Sequence, residues 1–211
     1  MGYACLFALP FQCFFLKRYL WGPGKGRLFY KGAAAFFPVL ISLAGAVCFK
    51  GDAWLLFAAA LLCFLADIWI EYSLVCGVLV FLGAHLCFIF WMAFSGAILS
   101  WNLLLAVLFA VLLLWGYGKY LKKLGPTAWF LAVYLPILLS MAFTAFSLPF
   151  FNPGAGSWIA AAGAGMFSCS DLLLGDAIVT GRRRDRKGKL VMLLYSPAVF
   201  LLALSVFFFQ R

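Results

Sequence analysis

The chain has 211 residues, of which 67% are apolar and 10% charged. A soluble domain is about half apolar and about a quarter charged, so that class is excluded, together with disordered and collagen-like chains. The net charge of +10 looks like a nucleic-acid signal, but it rests on only six acidic residues: Asp52, Asp67, Glu71, Asp171, Asp176 and Asp185.

Eight apolar stretches follow one another, over residues 3–20, 29–49, 53–70, 74–94, 98–117, 127–147, 157–179 and 190–209. Each approaches the roughly 20 residues that cross a bilayer as a helix. Their runs, such as Leu103–Trp115 and Leu193–Phe209, lack the alternation of a membrane barrel strand. The expectation is an all-α polytopic membrane protein: eight transmembrane helices in one bundle, forming a single transmembrane domain over residues 1–211.

The first stretch carries Lys17 and Arg18 after its apolar run rather than before it, unlike a signal peptide. Gly22–Gly26 and Asn152–Ser157 read as turns. Pro38, Pro136 and Pro197 fall inside the second, sixth and eighth stretches, where they can kink a helix. The connections after stretches 1, 3, 5 and 7 hold fourteen of the sixteen basic residues, including Lys25, Lys119, Lys122, Lys123 and the arginine-rich run Gly181–Lys189. The positive-inside rule places them in the cytoplasm and both termini outside. The +10 is therefore mainly a topology signal, and no nucleic-acid partner is expected.

The seven cysteines lie in apolar runs without a CxxC pair, so they read as small buried hydrophobes. No metal or other cofactor is expected. Asp67, near the end of the third stretch, and Asp171, within the seventh, occupy equivalent places in two sets of four stretches. A 4 + 4 parallel repeat would account for this.

A charged side chain at the bilayer centre costs roughly 2.5–3.5 kcal/mol on insertion scales, and such residues usually face the bundle interior. Asp171 lies about 13 Å from its helix end at the helical rise, too deep for a short side chain to reach water. Ser168 and Ser170 are the neighbours that would satisfy it in a purely structural role. Asp67 and Glu71 are four apart and share a helical face. Asp176, five residues from Asp171, is expected to point elsewhere. His85, the single histidine, falls mid-helix, and Lys31 opens the second stretch. A carboxylate pair with these groups suits acid/base chemistry, one group giving a proton while the other accepts one.

The motif order is similar to that of the YhhN-like lysoplasmalogenases. Leu65-Ala-Asp67 and the stretch Cys76-Gly77 to His85 and Phe88 resemble that family's GD motif and the G-x-x-x-F-x-x-x-H-x-x-[YF] helix behind it. Ala162 to Asp171 resembles its G-x-x-x-F-x-x-S-D signature, Tyr134 to Met141 its Y-x-x-x-x-x-x-M helix, and Lys31 the lysine of its K-P motif. Ala66 and Gly32 depart from the pattern, as do Tyr195-Ser-Pro197 and the added Asp176.

The resemblance implies hydrolysis of the vinyl-ether bond of lysoplasmalogens without a cofactor, in a bacterial inner membrane. It implies Asp67 and Asp171 as the catalytic pair, with Ser170 and His85 orienting. Lys31 would meet the substrate phosphate and Glu71 its headgroup cation, with Tyr134 and Tyr195 completing the binding set. A lysophospholipid substrate and membrane lipids are the expected partners, and the 19% aromatic share would line a chain tunnel. A proton-coupled transporter, a lipid-moving protein and a purely structural bundle are the competing readings.

Overall fold

The structure is a computed structural model that describes residues 2–22, 26–98, 100–121, 127–180 and 185–209; for 127 and 185–187 it describes the backbone alone. Lys25, Lys122, Lys123 and Arg182–Arg184, which carry part of the topology argument, lie outside the described residues, as do the side chains of Arg186 and Lys187. Every described element is helical: α1 (Gly2–Cys5), α2 (Ala8–Trp21), α3 (Arg27–Phe49), α4 (Ala53–Tyr72), α5 (Leu74–Phe94), α6 (Ser100–Gly116), α7 (Gly118–Leu121), α8 (Thr127–Phe151), α9 (Ala155–Thr180) and α10 (Asp185–Ser205). A short 3-10 turn, Val206–Phe208, follows α10.

Among the described residues, six helices are long and apolar enough to cross a membrane: α3, α4, α5, α8, α9 and the one built on α10. The first and fifth stretches are helical but shorter. The first breaks between Cys5 and Ala8, and Leu9 N–H bonds instead to the Leu6 carbonyl at 3.0 Å. Pro10 explains the break, because its ring has no N–H for that carbonyl four residues back. The fifth stretch forms the 17 residues of α6.

Neighbouring helices in the chain pack together: α2 on α3, α3 on α4, α4 on α5, then α6 on α8, α8 on α9 and α9 on α10. The two groups meet where α5 lies against α8 and where α10 lies against α3 and α4. Between the groups is the main core, with Phe81, Phe88, Trp91, Met141, Phe167 and Leu202 buried. Pro38, Pro136 and Pro197 stand inside helices as the sequence implies, and α8 holds Pro149 as well. The Ser140 hydroxyl donates to the Pro136 carbonyl at 2.7 Å.

Polar staples tie outer helices to this core. Gln12 on α2 donates to both the carbonyl and the hydroxyl of Ser196 on α10, each at 2.8 Å. Asn102 on α6 donates to Ser147 on α8 at 2.9 Å. The second turn is tighter than the sequence implied. α9 begins at Ala155, and Ser157, inside it, donates back to the Asn152 carbonyl at 2.5 Å.

Close backbone approach decides one glycine. A Cβ on Gly163 of α9 would sit 3.0 Å from the backbone of Ala198 and Leu202 on α10. Small residues at such crossings let membrane helices approach closely. Gly163→Leu is therefore expected to lower the thermal unfolding midpoint of the detergent-purified protein by several degrees. An unchanged midpoint would show that α10 gives way freely.

The cysteines depart from their expected burial. Only Cys63 is buried, whereas Cys13, Cys48, Cys76 and Cys169 are exposed. An outward face that meets hydrocarbon needs apolar residues as much as the core does, so apolar runs alone do not mark the inside.

Candidate functional site

The ionisable groups gather in two places separated by a layer of rings. In the first, Lys31 of α3 reaches α4. Its ammonium donates to the Glu71 carboxylate at 2.8 Å and to the Asp67 carbonyl at 2.9 Å, and lies 3.6 Å from the Asp67 carboxylate. The i, i+4 spacing of Asp67 and Glu71 puts both on the face that Lys31 meets. Lys31 and Asp67 are buried, whereas the Glu71 side chain is 47% exposed. Around Asp67 is a void of about 10 Å³, lined by Gln12, Lys31, Pro38, Cys63 and Tyr195 among others. Asp67 Oδ2 and Gln12 Oε1 are fully buried without a hydrogen-bond partner.

The second place centres on Asp171 of α9. Tyr134 of α8 donates its hydroxyl to Asp171 Oδ2. His85 of α5 puts Nε2 3.6 Å from the same oxygen. The other ring nitrogen, Nδ1, is 2.6 Å from the Phe81 carbonyl. A carbonyl only accepts, so Nδ1 carries a proton, while Nε2 faces Asp171 without a hydrogen-bond partner. Tyr134 thus takes the structural role that Ser168 and Ser170 would have filled. Ser168 has no hydrogen-bond partner, and Ser170 donates to the Val191 carbonyl of α10 at 2.9 Å, stapling α9 to α10. Ser170 is therefore turned away from the carboxylate it was expected to orient.

Asp171 lines a cavity of about 200 Å³ bounded mainly by α5, α6, α8 and α9, with Ile70 of α4 and Leu121 of α7 at its edge. The wall is mostly aliphatic, with Phe81, Tyr117 and Tyr134 its aromatic members, so the aromatic share of the chain is spent elsewhere. Asp176 lines the same cavity, contrary to the expectation from its five-residue offset, and accepts from the Tyr117 hydroxyl at 3.0 Å. The cavity spreads around two sides of α9, which accommodates both positions.

Phe81, Phe167 and Tyr195 form the partition. Their rings pack edge to face, with centroids 5.2 to 6.1 Å apart, and His85 packs on Phe167 at 4.9 Å. Tyr195 faces the Asp67 side, with its hydroxyl 3.4 Å from the Cys63 carbonyl and against the Asp67 carboxylate. The two aspartates are near enough for their charges to interact across this layer. Gln12, Cys63 and Tyr117 were missed from sequence. All three are uncharged, and nothing in an apolar run distinguishes a glutamine or tyrosine that lines a pocket.

Fold and site together define a class: an all-helical bundle of membrane-length helices holding ionisable groups in its interior. The chain belongs to the YhhN family, which matches residues 26–206. No curated protein and no solved structure matches it.

Proposed function

We propose that this chain hydrolyses the vinyl-ether bond of a lysoplasmalogen, giving a fatty aldehyde and a glycerophospho-base. The observation that carries the reading is Asp171, bonded by Tyr134 and flanked by His85 on the wall of an apolar cavity. A vinyl ether is activated when a proton adds to its β-carbon and leaves an oxocarbenium ion. Water adds to the adjacent carbon and loses a proton, and the hemiacetal collapses to aldehyde and glycerol hydroxyl. The residues this needs are a carboxylic acid and a carboxylate. Asp171, on the cavity wall, is the proton donor in this scheme and, once ionised, takes back the proton that the added water loses, with His85 Nε2 3.6 Å away. Asp67 is the second carboxylate, acting through its charge across the ring layer. Lys31 and Glu71 already engage each other, so a phosphate or a headgroup cation reaches them only by displacing that pair.

The protein is taken to be an integral membrane protein of the bacterial inner membrane, with eight spans and basic loops in the cytoplasm. Trp21 at the end of α2 and Trp115 near the end of α6 are exposed, as interfacial residues are, which supports counting the two shorter helices. The 4 + 4 repeat draws support from the helix neighbours. α5 meets α8 as α10 meets α3, the fourth helix of each set against the second of the other.

Proton-coupled transport or lipid movement is the second reading. It is favoured by two pockets with an ionisable group in each and a ring layer between them. One experiment separates the readings. Purified protein is given a lysoplasmalogen and, in parallel, a 1-acyl lysophospholipid, and aldehyde is measured. The expected result is aldehyde from the vinyl ether and no cleavage of the acyl lipid. Movement of the lipid across a proteoliposome membrane with no aldehyde would favour transport.

A further inference from the structure

The cavity beside Asp171 has a wall and a rim of different chemistry. Leu113, Leu135, Leu138, Leu174 and Ile178 supply aliphatic wall from α6, α8 and α9. Its polar groups are acids and tyrosine hydroxyls, and none of the described lining residues is basic. A phosphate has no cation to meet inside, whereas hydrocarbon is well matched. At the rim, Tyr117 and Leu121 line the cavity on either side of Lys119, which is exposed on α7.

An entry for hydrocarbon is built into the helix packing. Among the described residues α6 lies along α8 without packing closely on α9, which the short α7 touches, although all of these border the cavity. The outer face of α6 is apolar, with Leu104, Leu108, Val111 and Leu112 exposed. On that side a chain in the bilayer would reach the cavity without crossing water. The space at about 200 Å³ is small, below the range of about 300–1,000 Å³ typical of pockets for drug-sized ligands. That size takes only part of one chain and leaves no room for a second.

We propose that this cavity, entered between α6 and α9, binds the single hydrocarbon chain of a lysolipid while Lys119 holds its phosphate at the rim. The proposal rests on the lysolipid reading above for the class of ligand, but not on hydrolysis. It transfers the phosphate contact from Lys31, which is engaged by Glu71, to Lys119. It also makes the α6–α9 gap the filter against two-chain lipids.

The test is binding of an isotope-labelled, saturated alkyl-ether lysophosphocholine to the full chain in phosphatidylcholine nanodiscs. This probe has no vinyl bond, so binding is read apart from chemistry. A Cβ on Gly175 meets nothing within 4 Å, and Gly175 lines the cavity, so Gly175→Trp fills the space without backbone strain. It is expected to weaken binding at least tenfold, as is Ile178→Trp, and Lys119→Glu severalfold. Leu108→Trp, on the outer face of α6, should bind like the parent. A dialkyl phosphocholine should not compete.

Gly175→Cys covers the case in which the bulky variants fail to fold. Its alkylation, followed by mass spectrometry at position 175, is expected to slow when the lysolipid is present. Parent-like binding by folded Gly175→Trp and Ile178→Trp, equal competition by the dialkyl lipid, or unprotected alkylation would each overturn the proposal. Binding that meets these expectations with no aldehyde released from a lysoplasmalogen would sink the hydrolase reading and leave the site standing. Aldehyde release that survives both tryptophan variants would do the reverse.

Discussion

Asp171→Asn is expected to lower aldehyde release by about a thousandfold, within the range lost when a positioned acid or base is removed. The amide keeps the shape of the carboxylate and still accepts from Tyr134, but it has no proton to give to carbon. Tyr134→Phe should lose less, about tenfold to a hundredfold, because it removes a group that places Asp171 and leaves the acid itself. Both variants should keep the parent's helical circular dichroism and elution volume. Full activity in folded Asp171→Asn would remove Asp171 from the chemistry. An equal loss in the two variants, with both folded, would instead make the hydroxyl the reacting group.

The largest stability effect is expected at Lys31. Its ammonium is nearly buried, donates to the Asp67 carbonyl and to Glu71, and is ion-paired with the Asp67 carboxylate at 3.6 Å. Lys31→Met leaves the buried Asp67 carboxylate without its cation. Removing one partner of a buried pair destabilises proteins by about 3–5 kcal/mol, whereas replacing both by apolar residues of similar volume is often neutral. The double variant Lys31→Met with Asp67→Leu should therefore recover most of the thermal midpoint lost in Lys31→Met. Glu71 is half exposed and adds little to this balance, so Glu71→Gln should be mild. Equal midpoints for the single and double variants would show that the pair is not coupled. Measuring aldehyde release in the double variant also separates the two roles of Asp67. Recovered stability without activity marks a catalytic part, and recovered activity marks a structural one.

Much of this was legible in the residues. All eight apolar stretches are helical, and Asp171 lies inside α9 and His85 near the middle of α5. The shared face of Asp67 and Glu71 follows from spacing alone, and Lys31 confirms it by meeting both. The family match over residues 26–206 covers the segment that holds those motifs. Spacing was less able to place Asp176, because its offset from Asp171 describes the helix and says nothing of how far a cavity wraps around it. Ser170 was misjudged in the same way. Its place beside Asp171 in sequence is what turns its hydroxyl toward α10 instead.

The sequence by itself determined that the chain is helical, rich in membrane-length segments, and sparing with charge at a few interior positions. Those properties follow from composition and the length of apolar runs, which act locally. Only the tertiary structure decided that the two aspartates lie on opposite sides of Phe81, Phe167 and Tyr195, that Tyr134 bonds Asp171 with His85 beside it, and that Lys31 donates to Glu71. The reason is physical. These helices are apolar around most of their circumference, because lipid and core demand the same residues, so the sequence carries no polar face to say which side packs on which neighbour. The pairing of helices, and with it the sorting of the ionisable groups into a tight ion cluster and an open cavity, comes from the fit of side chains across the bundle.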